Sequence, residues 1–233
     1  MGGLGEVVLG IMTAVGGFVD VSEMTFAAQA GSRFGMALIW AFAISTVGIV
    51  VFGEMSGRVA AIAKQPVFAL MRQRLGLTVG LITLVASVIV SLITCAAEIG
   101  GVAIVLKLLL GGPYLAWAAG TVLGLIVIVW VLPFKWIENV FGLLGLLMLV
   151  FAAATVAVHP PWQEVARGFI PQAPIHGSAM DQLSFSYFVV AIASAVMFPY
   201  ETYFYSSGGI EEQWGPKDLS TNRVTSIVGM AVG

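Results

Sequence analysis

Long apolar runs separated by short polar connections fill almost the whole chain. Six of them are long enough to cross a hydrocarbon core of roughly 30 Å, at about residues 5–31, 35–59, 77–107, 113–132, 137–158 and 183–207. A seventh apolar segment begins in "STNRVTSIVGMAVG" and reaches Gly233 short of a full crossing. The pattern predicts an all-α membrane protein of six spans and the start of a seventh. The expectation is that these residues are a fragment, the amino-terminal part of a longer chain.

Two of the spans carry acids where the apolar pattern would exclude them. An ionisable group at bilayer depth costs ~2.5–3.5 kcal/mol on insertion scales. In the first span, "GGFVDVSEMTFAAQAG" places Asp20 and Glu23 after Gly16 and Gly17. On a continuous helix, acids three apart share a face and repel. On an unwound segment, both carboxylates and the freed backbone carbonyls turn to one cavity, and irregular backbone is tolerated at this depth only where protein or water covers it. The sixth span repeats the arrangement: "SFSYFVVAIASAVM" is an apolar half, "FPYE" brings Pro199 and Glu201 to mid-membrane, and "TYFYSSGG" continues. Pro199 removes a backbone donor and clashes with the preceding turn, so a break is predicted there. Matching interruptions in two halves of a hydrophobic chain point to a substrate site between the inverted repeats of a secondary transporter. On that scheme residues 1–158 hold spans one to five of a first repeat, 159–182 form a loop, and 183–233 open a second repeat. Glu98 in the third span is a further acid at depth. Glu54 and Arg58, four residues apart at the end of span two, predict an ordinary helical ion pair.

Composition agrees with the pattern: of 233 residues 59% are hydrophobic and 9% charged, and the mean hydropathy is +1.01, which a soluble domain of this length does not sustain. Ten basic residues, scattered, exclude a nucleic-acid surface. Their distribution gives orientation. Arg58, Lys64, Arg72 and Arg74 surround the connection between spans two and three, Lys135 precedes span five, and Lys217 and Arg223 follow span six. The positive-inside rule then puts the amino terminus in the cytoplasm, with a plasma (inner) membrane location expected. The connection "HPPWQEVARGFIPQAPIHGSAMDQ" falls outside. It is predicted to be an irregular loop, and His159 and His176 in it are too far apart to be read as a metal pair. The first segment lacks the basic start of a cleavable signal peptide. The single cysteine, Cys95, lies inside span three. There is no HExxH, GxSxG or P-loop pattern, so no enzyme is expected.

The residues around these acids resemble the NRAMP divalent-metal transporters, a family with the LeuT-type inverted-repeat helical bundle. "DVSEMTFAAQAGSRFGMALIW" is similar to the family's first span, with its DPGN signature and Ala-Gly-rich continuation. "GEMSGRVA" is similar to its LSARLG region, "TCAAEIGGVAIVLKLLLGGP" to its third span, "FKWIENVFGLL" to the start of its fifth, and "VMFPYETYFYSS" to its sixth-span VMPHNLYLHSS. The matches run in order along the whole chain. The family binds transition metals with an Asp and an Asn of span one, a Met of span six, and the backbone carbonyl three residues before that Met. The resemblance carries these positions onto Asp20, Glu23, Phe198 and Ala195. The thioether is replaced and carboxylates are added, which shifts the site toward hard, oxygen-seeking ions such as Mg²⁺ or Mn²⁺. The family's next His and Asn correspond to Tyr200 and Glu201, and an Asp of span three to Cys95. The loss of that His and that Asp puts proton coupling in question.

The resulting expectation is a secondary transporter that moves a divalent metal cation by alternating access. The ion is substrate rather than cofactor, and the bilayer is the other partner. Asp20, Glu23, Glu201 and the carbonyl of Ala195 are the expected ligands, with Ser22, Glu98, Phe198 and Tyr200 behind them or along the ion pathway. Two other readings stay open. One is a transporter of an amine or amino acid on the same fold, for which Phe198, Tyr200, Tyr203, Phe204 and Tyr205 would supply aromatic faces. The other is a non-transporting membrane protein whose acids bond to Ser22, Thr202 and Tyr205 as glue between helices.

Overall fold

The computed structural model describes residues 21–133, 136, 140, 143–144, 147, 149–171 and 179–232. Apart from short 3₁₀ stretches, the regular structure among them is α-helical. The helices are α1 (Val21–Phe34), α2 (Ile39–Ala63), α3 (Val67–Leu75), α4 (Leu77–Leu110), α5 (Tyr114–Val131), α6 (Leu149–Ala157), α7 (Trp162–Gly168), α8 (Ala179–Val196), α9 (Pro199–Glu211) and α10 (Leu219–Val232). Among the described residues four stretches are long and apolar enough to cross a membrane: α2, α4, α5, and Met180–Glu211, which takes in α8 and α9. They coincide with the predicted second, third, fourth and sixth spans. Most of the first span's amino-terminal half and much of the fifth span lie outside the described residues.

The helices stop where the sequence supplies a stop. The chain leaves α1 through Gly35, left-handed at φ +57°, whose N–H bonds the Gly31 carbonyl at 3.0 Å. α2 ends at Lys64, also left-handed, with its N–H on the Ala60 carbonyl. The apolar run is expected to end near residue 59, and the helix continues beyond it to Ala63. α4 runs on to Leu110, where Gly111 and Gly112, both at positive φ, precede Pro113 at the start of α5. Gly76, at φ 87° and ψ 167°, separates α3 from α4 in a conformation that side chains disfavour.

α2 is the centre of the packing, with α8, α9 and α10 against it. Its buried positions are Ala41, Ser45, Ile49, Gly53, Ser56, Gly57, Ala60 and Ala61. With one exception they are small, which lets neighbouring backbones approach closely. The hydroxyls of Ser45 and Ser56 donate to carbonyls of their own helix, Ala41 at 2.7 Å and Gly53 at 2.9 Å, so no polar group is left open on that face by them. α1 lies along α8 through interlocking rings: Phe34 meets Phe185 and Phe188 edge-on, Phe26 meets Phe188, and Arg33 covers the Phe188 face at 5.5 Å. α4 and α5 pair with each other, while most of their Leu, Ile and Val side chains remain exposed. Such a surface suits hydrocarbon as its solvent.

The segment 159–171, expected to be irregular, contains the short helix α7. Pro161 precedes it, Glu164 occupies its first turn and Arg167 its last, a charge order that suits the helix dipole. His159 has φ 51°, and His176 lies outside the described residues. Gly168 is buried where α7 meets the start of α2: a Cβ there would overlap the Met36 carbonyl and press on Ile39. Gly168→Ala is therefore expected to destabilise the folded protein by about 1–3 kcal/mol. Gly31→Ala, with nothing near its added Cβ, should leave the thermal unfolding midpoint unchanged or slightly higher. Equal midpoints for the two variants would contradict the docking of α7.

Candidate functional site

Pro199 decides the local structure of the sixth span. α8 reaches Val196, Met197 and Phe198 are not helical, and α9 starts at Pro199. Phe198 adopts φ −77° and ψ 129°, the extended geometry that a following proline imposes. The predicted break is present, at the predicted residue. In an unbroken helix the N–H of residue 199 would close on the Ala195 carbonyl. Proline has no such hydrogen, so that carbonyl loses its ladder bond. Two residue pairs earlier the ladder still holds, with the Met197 N–H on the Ala193 carbonyl at 3.1 Å.

Glu201 follows as the third residue of α9, in its first turn, and only 4% of it is exposed. The partial positive charge at a helix amino terminus favours a carboxylate there. Its own N–H donates to the Phe198 carbonyl at 3.2 Å. Phe198 and Tyr200 are half-buried on either side of the proline, with ring centroids 5.0 Å apart in an edge arrangement. Ala195, Phe198, Tyr200 and Glu201 are thus assembled by a single interruption of one span.

Glu23 is half-buried in the first turn of α1. α1 and α8 run antiparallel: Arg33 reaches the Ser184 hydroxyl at 3.5 Å, and Phe26 packs on Phe188 further along. The end of α1 that carries Glu23 therefore points the way α8 runs, toward the break. Asp20 and the side chain of Ser22 lie outside the described residues; of the stretch in which the first span is expected to unwind, residues 21–24 are helical and the part before them lies outside the described residues. Glu98 is half-buried midway along α4, a helix that touches both α1 and α9, and Cys95 one turn earlier is exposed. Among the described residues no three His, Cys, Asp or Glu side chains are grouped closely enough to hold a metal ion. The expected convergence of three carboxylates thus depends on Asp20.

The helical pair at the end of α2 is present, Arg58 donating to Glu54 at 2.5 Å. Arg223 of α10 adds a second cation 4.0 Å from the same oxygen. Tyr205, one of the residues that the glue reading assigns to the acids, instead turns its hydroxyl to α10, within 3.2 Å of the Ser226 hydroxyl and 3.4 Å of the Asn222 carbonyl. Sequence reasoning passed over Asn222, Thr225 and Ser226, all buried. Their spacing of three and four within "STNRVTSIVGMAVG" was the available signal, a polar stripe on one face of an apolar helix.

A buried acid at a proline-broken span, among helices apolar enough to cross a membrane, defines an integral membrane protein of the broken-helix type. Residues 10–233 match the family model described as Nramp, natural resistance-associated macrophage protein-like, and the chain belongs to that family. Relatives include the divalent metal cation transporter MntH of Listeria welshimeri, 26% identical over 201 residues, covering 85% of this chain and 44% of that protein. MntH of Agrobacterium fabrum is 27% identical over 210 residues, 89% of this chain and 44% of that protein. These relatives are transporters rather than enzymes. The fold is similar to that of the Eremococcus coleocola manganese transporter. The structure of its complex with an aromatic bis-isothiourea substituted compound gives a TM-score of 0.63 at 20% identity, over 98% of this chain and 51% of that one. A mutant form gives 0.64 at 21%, over 100% and 53%. The chain spans about half the length of the relatives it matches, and its helices correspond to an amino-terminal portion of the LeuT-type fold.

Proposed function

We propose that the protein is a secondary transporter of a divalent metal cation, Mg²⁺ or Mn²⁺, held between the broken first and sixth spans. The observation that carries this reading is the buried Glu201 carboxylate in the first turn after the break at which Pro199 withholds a donor from the Ala195 carbonyl. Asp20 and Glu23 bring two more carboxylates from the first span, and an all-oxygen set of this kind favours hard cations. Two of the three negative charges balance the ion, and the amino-terminal dipole of α9 offsets part of the third. Mg²⁺ gives up its water reluctantly and is bound through a few carboxylates with waters retained. Phe198 and Tyr200 flank the ion, and Glu98 lies along its path.

Transport proceeds by alternating access, with the bundle that contains spans one and six rocking against the rest, and with residues 1–158 as one repeat and 183–233 as the start of its inverted partner. The amino terminus faces the cytoplasm, in keeping with Arg58, Lys64, Arg72 and Arg74 at the α2–α4 connection. An inside-negative potential then favours cation entry by about 2.3 kcal/mol per charge for each 100 mV.

The test is uptake of Mg²⁺, Mn²⁺ and Ca²⁺ into proteoliposomes holding the full-length protein, with internal pH recorded. Saturable Mg²⁺ or Mn²⁺ uptake at constant internal pH is expected, because Tyr200 and Cys95 replace the His and Asp that the resemblance links to protons. Uptake of no divalent ion, with a primary or quaternary amine entering instead, would replace the metal reading by the organic-cation one.

A further inference from the structure

The break that frees the Ala195 carbonyl also cuts α9 loose from α8, so another contact has to fix where Glu201 stands. The structure places that contact around Asn222. This side chain is fully buried in the first turn of α10. Its Nδ2 donates to the backbone carbonyl of Glu54 in α2 at 3.0 Å. Its own backbone carbonyl accepts from the Ser226 hydroxyl at 2.7 Å and from the Tyr205 hydroxyl of α9 at 3.4 Å. Its Oδ1 is buried with no donor among the described residues, lying where a Cβ on Gly57 of α2 would be, and the same Cβ would press on the Tyr205 ring. Tyr205 in turn meets the Trp214 ring edge-on at 5.5 Å, and the Trp214 carbonyl accepts from Lys64 at the end of α2. Three helices are tied at one point with no side-chain volume to spare at Gly57.

We propose that Asn222, Tyr205 and Gly57 are positioning residues that set the register of α9 on α2 and so the place of Glu201, a role that rests on the reading of Glu201 as a metal ligand. Tyr205 lies four residues after Glu201, on the same face of α9 and roughly 6 Å along its axis. A shift of the knot therefore moves the carboxylate as a rigid unit, while α8 on the other side of Pro199 is left where it was.

The experiment places a single cysteine in the full-length protein with every native cysteine, Cys95 included, replaced by serine, either at Thr202 beside Glu201 or at Ala193 in α8, and measures the rate of thiol labelling without metal. Gly57→Ala, which favours the helix but wedges the knot, and Asn222→Ala, which removes the cross-link without adding bulk, are then introduced in each background. Both are expected to change labelling at 202 by roughly two- to tenfold, the equilibrium equivalent of one hydrogen bond, and to leave labelling at 193 unchanged. Manganese uptake by the same variants should show a raised KM with little change in maximal rate. Equal changes at both cysteines, or a lower unfolding midpoint with labelling at 202 unchanged, would overturn the proposal and reduce the knot to general packing. Failure of native protein to take up any divalent ion would remove the ligand role of Glu201, while the labelling would still decide whether the knot sets the register of α9.

Discussion

Glu201→Gln is expected to leave a folded protein that no longer moves divalent metal, with uptake at sub-saturating ion reduced by at least about 100-fold, the upper end of what losing a group behind a metal ligand costs. Glutamine keeps the length, the shape and most of the hydrogen-bonding capacity of the side chain and removes only its charge. Glu201 is 4% exposed, and a buried carboxylate carries a desolvation penalty that a neutral amide avoids. The unfolding midpoint should therefore stay level or rise as transport is lost. The opposite pair of results separates the two readings of this acid. A residue that serves as glue between helices would tolerate the amide, and near-native uptake by Glu201→Gln would establish that role instead.

Pro199→Ala should have an effect of similar kind through the backbone. Alanine restores an N–H at residue 199, and this hydrogen is the natural partner of the Ala195 carbonyl. It also releases Phe198 from the extended geometry at φ −77° and ψ 129°. The sixth span can then run on as helix and close the oxygen that the break exposes. We expect apparent metal affinity to fall roughly 10- to 100-fold, as when groups that orient ligands are lost, with only a small change in thermal stability, because Pro199 stands at the first position of α9, where its missing N–H costs no helical bond and alanine is also a good helix former. Helicity measured by circular dichroism on the purified variant should not fall. Unchanged affinity would mean that the carbonyl takes no part in holding the ion.

The sequence announces the helices that carry this site more clearly than it announces their neighbours. Pro199 fixed the interruption of the sixth span to the residue, since a missing N–H has no alternative reading in the middle of an apolar run. Glu54 and Arg58 showed their pairing by spacing alone, while the continuation of α2 to Ala63 lies past the apolar run that marked the span. α7 was hidden by the prolines and glycines around it. Its signals, Pro161 before the helix, Glu164 in the first turn and Arg167 in the last, are short-range and weak, and what holds the helix down is Gly168 against the Met36 carbonyl, a tertiary contact. Asn222 was passed over for a related reason. A single amide in a polar stretch has no meaning until Glu54, Gly57 and Tyr205 from two other helices are found around it. For Asp20 and Glu23 the sequence remains the fuller source, because Asp20 lies outside the described residues and the family resemblance, not geometry, pairs it with Ala195.

The central claim is that one divalent ion sits at the break of the sixth span. It is tested most directly by anomalous scattering from Mn²⁺ in crystals of the full-length protein, native and Glu201→Gln. The account predicts one strong peak in the native protein, roughly 2.0–2.6 Å from a Glu201 carboxylate oxygen, beside the Ala195 carbonyl and facing the first span, and no peak in the variant. A peak elsewhere in the bundle, or one that survives in Glu201→Gln, would contradict it.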